Sequence, residues 1–486
     1  MEPIRILTRQ QMELINDAAL TILERTGMLI RSAEALGLLA KFGCQVDGQA
    51  QRVRFPRKLI SQVADKMRGD YAARTQPDRM PVRFSHVRFR KCAHQVHGDF
   101  TVSAGGFVPF IYDLDGVRRP GNRDDVLCSI NMVNGLDQID LTGLPVSDQT
   151  VPAHHRPIVM AAELVKYTRK IGGIETFSKD DVRAMCEIAQ VVAGSEAEFR
   201  RNPRLVGYAE IRSPLCFDEN MADIFMEYVR RGVPQTIDCM PCGGTTAPMT
   251  AAGILALGAA ETLAAVALGY AVRDDAVVGM DISPSYADMS SGLYKYSGAD
   301  RCNLLMARVQ LLSEYYGCPC GVHGGKTDSC FFNEQAGAEK VSTMLTAVLA
   351  GAVGIGTVGA IENAVTFSPV QLVIDNELAA YVRRAVRTPI EVIPETLAVD
   401  MIDRIGPGGN FLDEMHTAEN FRKELHLSPL FGAQTWQMAR SQADMFDTAP
   451  KAAEIARSLW RRPESPVLSD DQIRQIDKIV AKAIKA

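Results

Sequence analysis

Eight short apolar runs recur along the middle of this chain, and their spacing limits the fold more than any other feature. They span 101–107, 140–144, 171–177, 205–211, 235–240, 277–282, 318–323 and 353–358. Successive runs start about 36 residues apart, which matches the ~30 or more that a strand, a crossover helix and two loops need. Helical patterns fill several of the intervals, at 157–170, 179–192, 217–232, 250–271, 299–316 and 336–350. Strand–helix alternation builds a parallel sheet, and eight such units in about 250 residues predict a (β/α)8 TIM barrel. An open doubly wound sheet is the competing arrangement. The expected fold is therefore α/β, with the barrel over 101–375.

The flanks read differently. Thr8 can cap a helix carrying Met12, Ile15, Ala19, Ile22 and Leu23, and Gly27 can end it. A second helix follows Ser32 and stops near Gly43, and a short strand at 52–55 precedes a helix opened by Pro56. Residues 82–89 alternate like a strand, so 1–100 forms an N-terminal helical and small β appendage. Helical segments at 421–426, 435–438, 444–459 and 470–485 form a C-terminal extension, 376–486, expected to pack on the barrel.

Charge and composition remove several functions. The chain has 58 acidic and 53 basic residues among 486, a net charge of −5, with no basic stripe for nucleic acid. Its N-terminus has no secretory pattern. The apolar stretch 251–272 contains Glu261 and is expected to be a buried helix, not a membrane span. Eleven cysteines cannot all pair internally, so reduced thiols in a bacterial-type cytoplasm are expected.

In a barrel the chemistry belongs at the C-terminal ends of the strands. Those ends are rich in glycine: Gly105, Gly106, Gly243, Gly244, Gly324 and Gly325. Aromatic residues accompany them: Phe107, Phe110, Tyr112, Phe177, Tyr208, Tyr286, Phe331 and Phe332. Ring faces with a few acids suit a cationic organic ligand, because they attract an ammonium that cannot donate hydrogen bonds. Cys239 with Cys242, and Cys318 and Cys320 with His323 and nearby Cys330, have residue types that could ligate a metal. A second CxxC is missing, so no metal is expected. His154 and His155 sit in a turn. The 351–356 glycine run follows a helix, which excludes a dinucleotide loop, and no GxSxG elbow is present.

One stretch is more specific. Thr327-Asp328, Gln335-Ala336-Gly337 and Glu339-Lys340 lead into an alanine-rich helix. Together with Arg212-Ser-Pro-Leu215, the 248–269 stretch and the Leu7-Thr-Arg-Gln-Gln start, this resembles the trimethylamine methyltransferase superfamily over nearly the whole chain. The resemblance implies an α/β barrel that passes a methyl group from an amine to the cobalt of a separate corrinoid protein. The family archetype carries pyrrolysine, whereas this chain has standard residues throughout. It is similar to the non-pyrrolysine branch, which is associated with quaternary amines such as glycine betaine.

That resemblance, added to the residues, sets the remaining expectations. His323 and Glu210 are the candidate catalytic residues. Phe107, Tyr112, Tyr208, Arg212, Tyr286, Lys326, Phe331 and Phe332 would bind substrate, with Arg212, His323 or Lys326 meeting a betaine carboxylate. The six strand-end glycines would face a corrinoid presented by a partner protein, so no tightly bound cofactor is expected. The rival readings are a non-catalytic amine-binding barrel and a zinc-dependent methyltransferase. A homo-oligomer is expected on general grounds.

Overall fold

The computed structural model describes residues 2–74, 100–201, 203–205, 207–386, 390–441 and 447–485. The expected strand at 82–89, His94 and His97 lie outside them.

Each of the eight apolar runs lies on or beside a parallel strand or bridge, but the ladders are shorter than the runs. One arc orders Gly321–Val322, Gly354–Val358, Thr101–Ala104 and Leu141–Thr142, then a single parallel bridge to Ile171. The other orders Glu210–Ile211, Gln235–Cys239 and Val278–Met280. The protein is thus a mixed α/β structure whose parallel strands follow one another in sequence order. Among the described residues no backbone ladder joins the two arcs.

Side chains and close approach work at both seams. Buried Arg308 pairs with Asp281 beyond one arc and donates to the Gly321 carbonyl of the other at 2.5 Å. At the second seam a Cβ on Gly207 would fall 2.6 Å from the Ile174 carbonyl oxygen, so only glycine fits there.

The crossover helices Arg156–Tyr167, Lys179–Ala193, Glu219–Arg230, Ala251–Val272, Ala299–Gln310 and Glu334–Leu349 match their patterns. The helix Arg123–Gly135 was not legible, because buried Asp125 and Ser129 break its apolar stripe. Short strands beyond the main arcs form collars: Cys242–Gly243 beside Ser285–Ala287 and Tyr294–Lys295, and Phe110–Tyr112 between Arg118–Pro120 and Thr366–Phe367.

At the N-terminus, Thr8 caps Arg9–Arg25 with a reciprocal bond to Gln11, and Ser32 caps Ala33–Phe42. Between them Met28–Ile30 pairs with Arg52–Arg54 and, in parallel, with Cys216–Phe217. The N-terminal segment is therefore sewn to the middle of the chain by a strand that the local pattern does not show.

Ala251–Val272 is long and apolar enough to cross a membrane, yet 83% of its most apolar window is buried inside the fold. Its Glu261 is wholly buried and accepts bonds from the Ser213 hydroxyl at 2.8 Å and the Leu215 amide at 2.7 Å. Burial pushes this carboxyl up to about 7. A raised folded-state pKa gives stability that is full below the unfolded value near 4.5 and lost as pH rises through about 7. The melting advantage of wild type over Glu261→Gln should therefore shrink between those two pH values. A pH-independent difference would show that Glu261 does not titrate there.

The tail divides. Thr448–Leu459 packs on Pro369–Ala385, and Asp470–Lys485 packs on Lys179–Ala193. Between 390 and 441 the chain is bare in part: Ile390 is 82% exposed, Leu412 75% and Trp436 74%, whereas Leu430 is buried and His426 meets Glu377 of Pro369–Ala385 at 2.7 Å. Apolar periodicity marks a face to be covered, but not what covers it.

Candidate active site

Three carboxylates converge at the ends of three consecutive strand segments. In the parallel ladder Asp238 is the direct register partner of Glu210, which sets the two residues side by side. Glu175 follows the preceding bridge and accepts a 2.9 Å bond from the Tyr208 hydroxyl. Asp238 is buried and accepts from the Ser283 hydroxyl at 2.7 Å and the Cys239 amide at 2.8 Å. Burial, then the charges of Asp238 and Glu175, hold Glu210 up to about 7. Burial also raises Asp238 and Glu175. Among the described residues no basic side chain forms a contact ion pair with Glu175, Glu210 or Asp238.

Lys326 enters this space from the next strand but one. Its ammonium lies over the Tyr296 ring, 4.4 Å from the centroid. Hydrogen bonds preset that geometry. The Ser297 hydroxyl donates to the Lys326 carbonyl at 2.7 Å, and Asp328 accepts from the Tyr296 amide at 2.8 Å. Burial lowers Lys326 to about 8.

The motif that carried the family resemblance anchors this loop. Glu339 accepts from the Thr327 hydroxyl at 2.6 Å and the Asp328 amide at 2.9 Å, and Gln335 donates to Glu339 at 2.9 Å. Lys340 donates to the Gly325 carbonyl at 2.6 Å. These residues act through position: they tie the strand-end loop to the helix Glu334–Leu349.

His323 shares a hydrogen bond of 2.8 Å between its Nδ1 and the Thr357 hydroxyl. Burial, with Lys326, Arg301 and Arg308 nearby, drives it far down, so its ring is neutral. The expected aromatic residues meet in two groups. Phe107 meets Phe177 edge-on at 6.5 Å between centroids, and Tyr112 meets Phe331 at 5.9 Å and Phe332 at 6.0 Å.

Other expected residues lie elsewhere. Arg212 makes a two-point pair with Asp218, at 2.8 and 2.9 Å, and is not drawn to Glu210. Asp218 occupies the Nε and Nη2 edge of its guanidinium. Among the glycines, Gly243, Gly324 and Gly325 are buried. A Cβ would strike Ile254 and Tyr286 from Gly243 at 2.9 Å, and the Val358 amide from Gly325 at 2.5 Å. These two serve close packing, with Tyr286 lying against Gly243, while Gly324 packs on Ile355. Gly106 and Gly244 are exposed at positive φ. Gly105 is half-buried, and a Cβ there would meet only the Gly143 amide nitrogen, at 3.8 Å.

Ten cysteines are free thiols among the described residues, and no three His, Cys, Asp or Glu side chains there gather as a metal-holding group. The Cys318 thiol packs in the core, 3.6 Å from the Met67 sulfur. His154 and His155 lie ring to ring at the start of Arg156–Tyr167. Sequence reasoning passed over Asp238, Glu175 and Tyr296. The signal for Asp238 was an acid inside the apolar run 235–240, where only a satisfied or functional charge survives burial.

A family model for trimethylamine methyltransferase (MTTB) matches residues 1–485. The glycine betaine methyltransferase of Desulfitobacterium hafniense (strain Y51) is 27% identical over 438 residues, covering 89% of this chain and 88% of that protein. The trimethylamine methyltransferase MttB of D. hafniense (strain DSM 10664 / DCB-2) is 28% identical over 417 residues, covering 85% and 81%. Among solved structures, the Methanosarcina barkeri monomethylamine methyltransferase (MtmB) aligns over 98% of this chain and 93% of its own at 12% identity, with a TM-score of 0.41. With a family match over nearly every residue, the chain belongs to the trimethylamine methyltransferase family and is a methyltransferase.

Proposed function

We propose that this enzyme takes a methyl group from a quaternary amine, glycine betaine foremost, and passes it to a corrinoid carried by a separate protein. One observation carries the reading: Glu175, Glu210 and Asp238 converge beside Tyr208 and Tyr296 without a contact base among the described residues. A quaternary ammonium offers no N–H, so charge and ring faces are the means of holding it. It leaves as a neutral tertiary amine after losing a methyl, so no acid is needed at the leaving nitrogen. The chain's task is to orient the ammonium, keep water out and balance its charge.

A bound corrinoid would supply the Co(I) nucleophile that accepts the methyl. The surface around Gly244 suits a flat apolar group: Met249 and Met289 lie against this glycine and are 53% and 74% exposed. A betaine carboxylate would be met by Lys326 or His323. We read the two strand arcs as one (β/α)8 barrel over 101–375, with 1–100 and 376–486 added to it. The free buried thiols fit a cytoplasmic setting, and the apolar side chains bared between 390 and 441 fit a homo-oligomer.

The test is a panel of glycine betaine, proline betaine, carnitine, choline and trimethylamine with cob(I)alamin. Formation of methylcobalamin, followed by its absorption spectrum, is expected with glycine betaine. Silence across the panel would sink the reading. Binding without turnover would instead favour a non-catalytic amine-binding barrel.

A further inference from the structure

Lys326 stands where a substrate cation would stand. Its ammonium is 4.4 Å from the Tyr296 centroid and in the field of Asp238, Glu210 and Glu175. Among the described residues no carboxylate oxygen lies within the 4.0 Å of a contact pair. The ammonium is thus held by a ring and a field, which is how a quaternary ammonium is also held. Its backbone is fixed on both sides, through the bonds of Ser297 to the Lys326 carbonyl and of Lys340 to the Gly325 carbonyl. Its four-carbon stem is the movable part. The other charged or titratable groups near it are Arg301, the Arg308–Asp281 pair, neutral His323 and Asp328.

We propose that Lys326 is a built-in counter-ion that a quaternary ammonium must displace, and that this makes the site prefer zwitterions to bare cations. The inference rests on the quaternary-amine reading above. A bare cation entering the pocket leaves Lys326 beside a like charge in a poorly solvated space. A betaine brings a carboxylate, and the displaced ammonium regains a partner in a charge-assisted hydrogen bond. The exchange keeps the pocket's net charge unchanged.

The test is calorimetric binding of glycine betaine and of tetramethylammonium chloride to wild type, Lys326→Met and Lys326→Gln, with melting curves to check that each is folded. Wild type should bind betaine at least tenfold more tightly than tetramethylammonium. In both variants tetramethylammonium should gain at least tenfold, and the preference should vanish. A wild type without the preference, or variants that keep it, would overturn the role of Lys326 and leave the quaternary-amine reading standing. Failure of all three folded proteins to bind either probe would overturn that reading together with this one.

Discussion

Lys340→Met is expected to destabilise the fold by about 3–5 kcal/mol, the usual cost of removing one partner from a buried ion pair. Lys340 and Asp375 are both fully buried, 2.6 Å apart. Lys340 also donates to the carbonyls of Gly325 at 2.6 Å and Ala360 at 2.8 Å. Asp375 also accepts from the Gly359 amide at 2.6 Å and from Gln371 at 2.7 Å. Methionine keeps the apolar length but strands a buried carboxylate and two carbonyls. Urea denaturation should show a lower midpoint at unchanged slope. The double variant Lys340→Met/Asp375→Leu should recover only part of the loss, because Gly325, Ala360 and Gly359 keep unpaired backbone groups. A single variant as stable as wild type would mean that the loop is held by other contacts.

Glu210→Gln should lower kcat/KM for the quaternary amine by roughly 30- to 150-fold, corresponding to about 2–3 kcal/mol for a desolvated cation losing one of three carboxylates. The pH profile sharpens this. Glu210 is held up to about 7 in the free enzyme, and only its ionised form attracts the cation. Since kcat/KM reports groups of the free enzyme, it should rise as pH passes upward through about 7. The Gln variant should lose that limb. Initial rates of methylcobalamin formation across the range measure both effects. A variant with wild-type rates and the same profile would remove Glu210 from the site.

Much of the architecture was readable because it depends on short-range periodicity. The spacing of the apolar runs marked the parallel strand positions, and Thr8 and Ser32 announced the helices they cap. The helix Arg123–Gly135 and the strand Met28–Ile30 were missed for opposite reasons. In the first, buried polar residues blur the stripe; in the second, pairing with Cys216–Phe217 comes from about 190 residues away. The site was readable in part. Glu210, Tyr208, Lys326 and His323 do gather near one another, whereas Arg212 is taken by Asp218.

The sequence by itself determined the positions of the parallel strands, the buried character of 251–272 and the family signature at 327–340, since each is written in local spacing or residue identity. Only the tertiary structure decided which charges meet. Register set Asp238 beside Glu210, loop hydrogen bonds set Lys326 over Tyr296, and close packing turned Gly243 and Gly325 from open mouth into core. Charge pairing and close approach depend on distances across the sheet, and no one-dimensional pattern carries them.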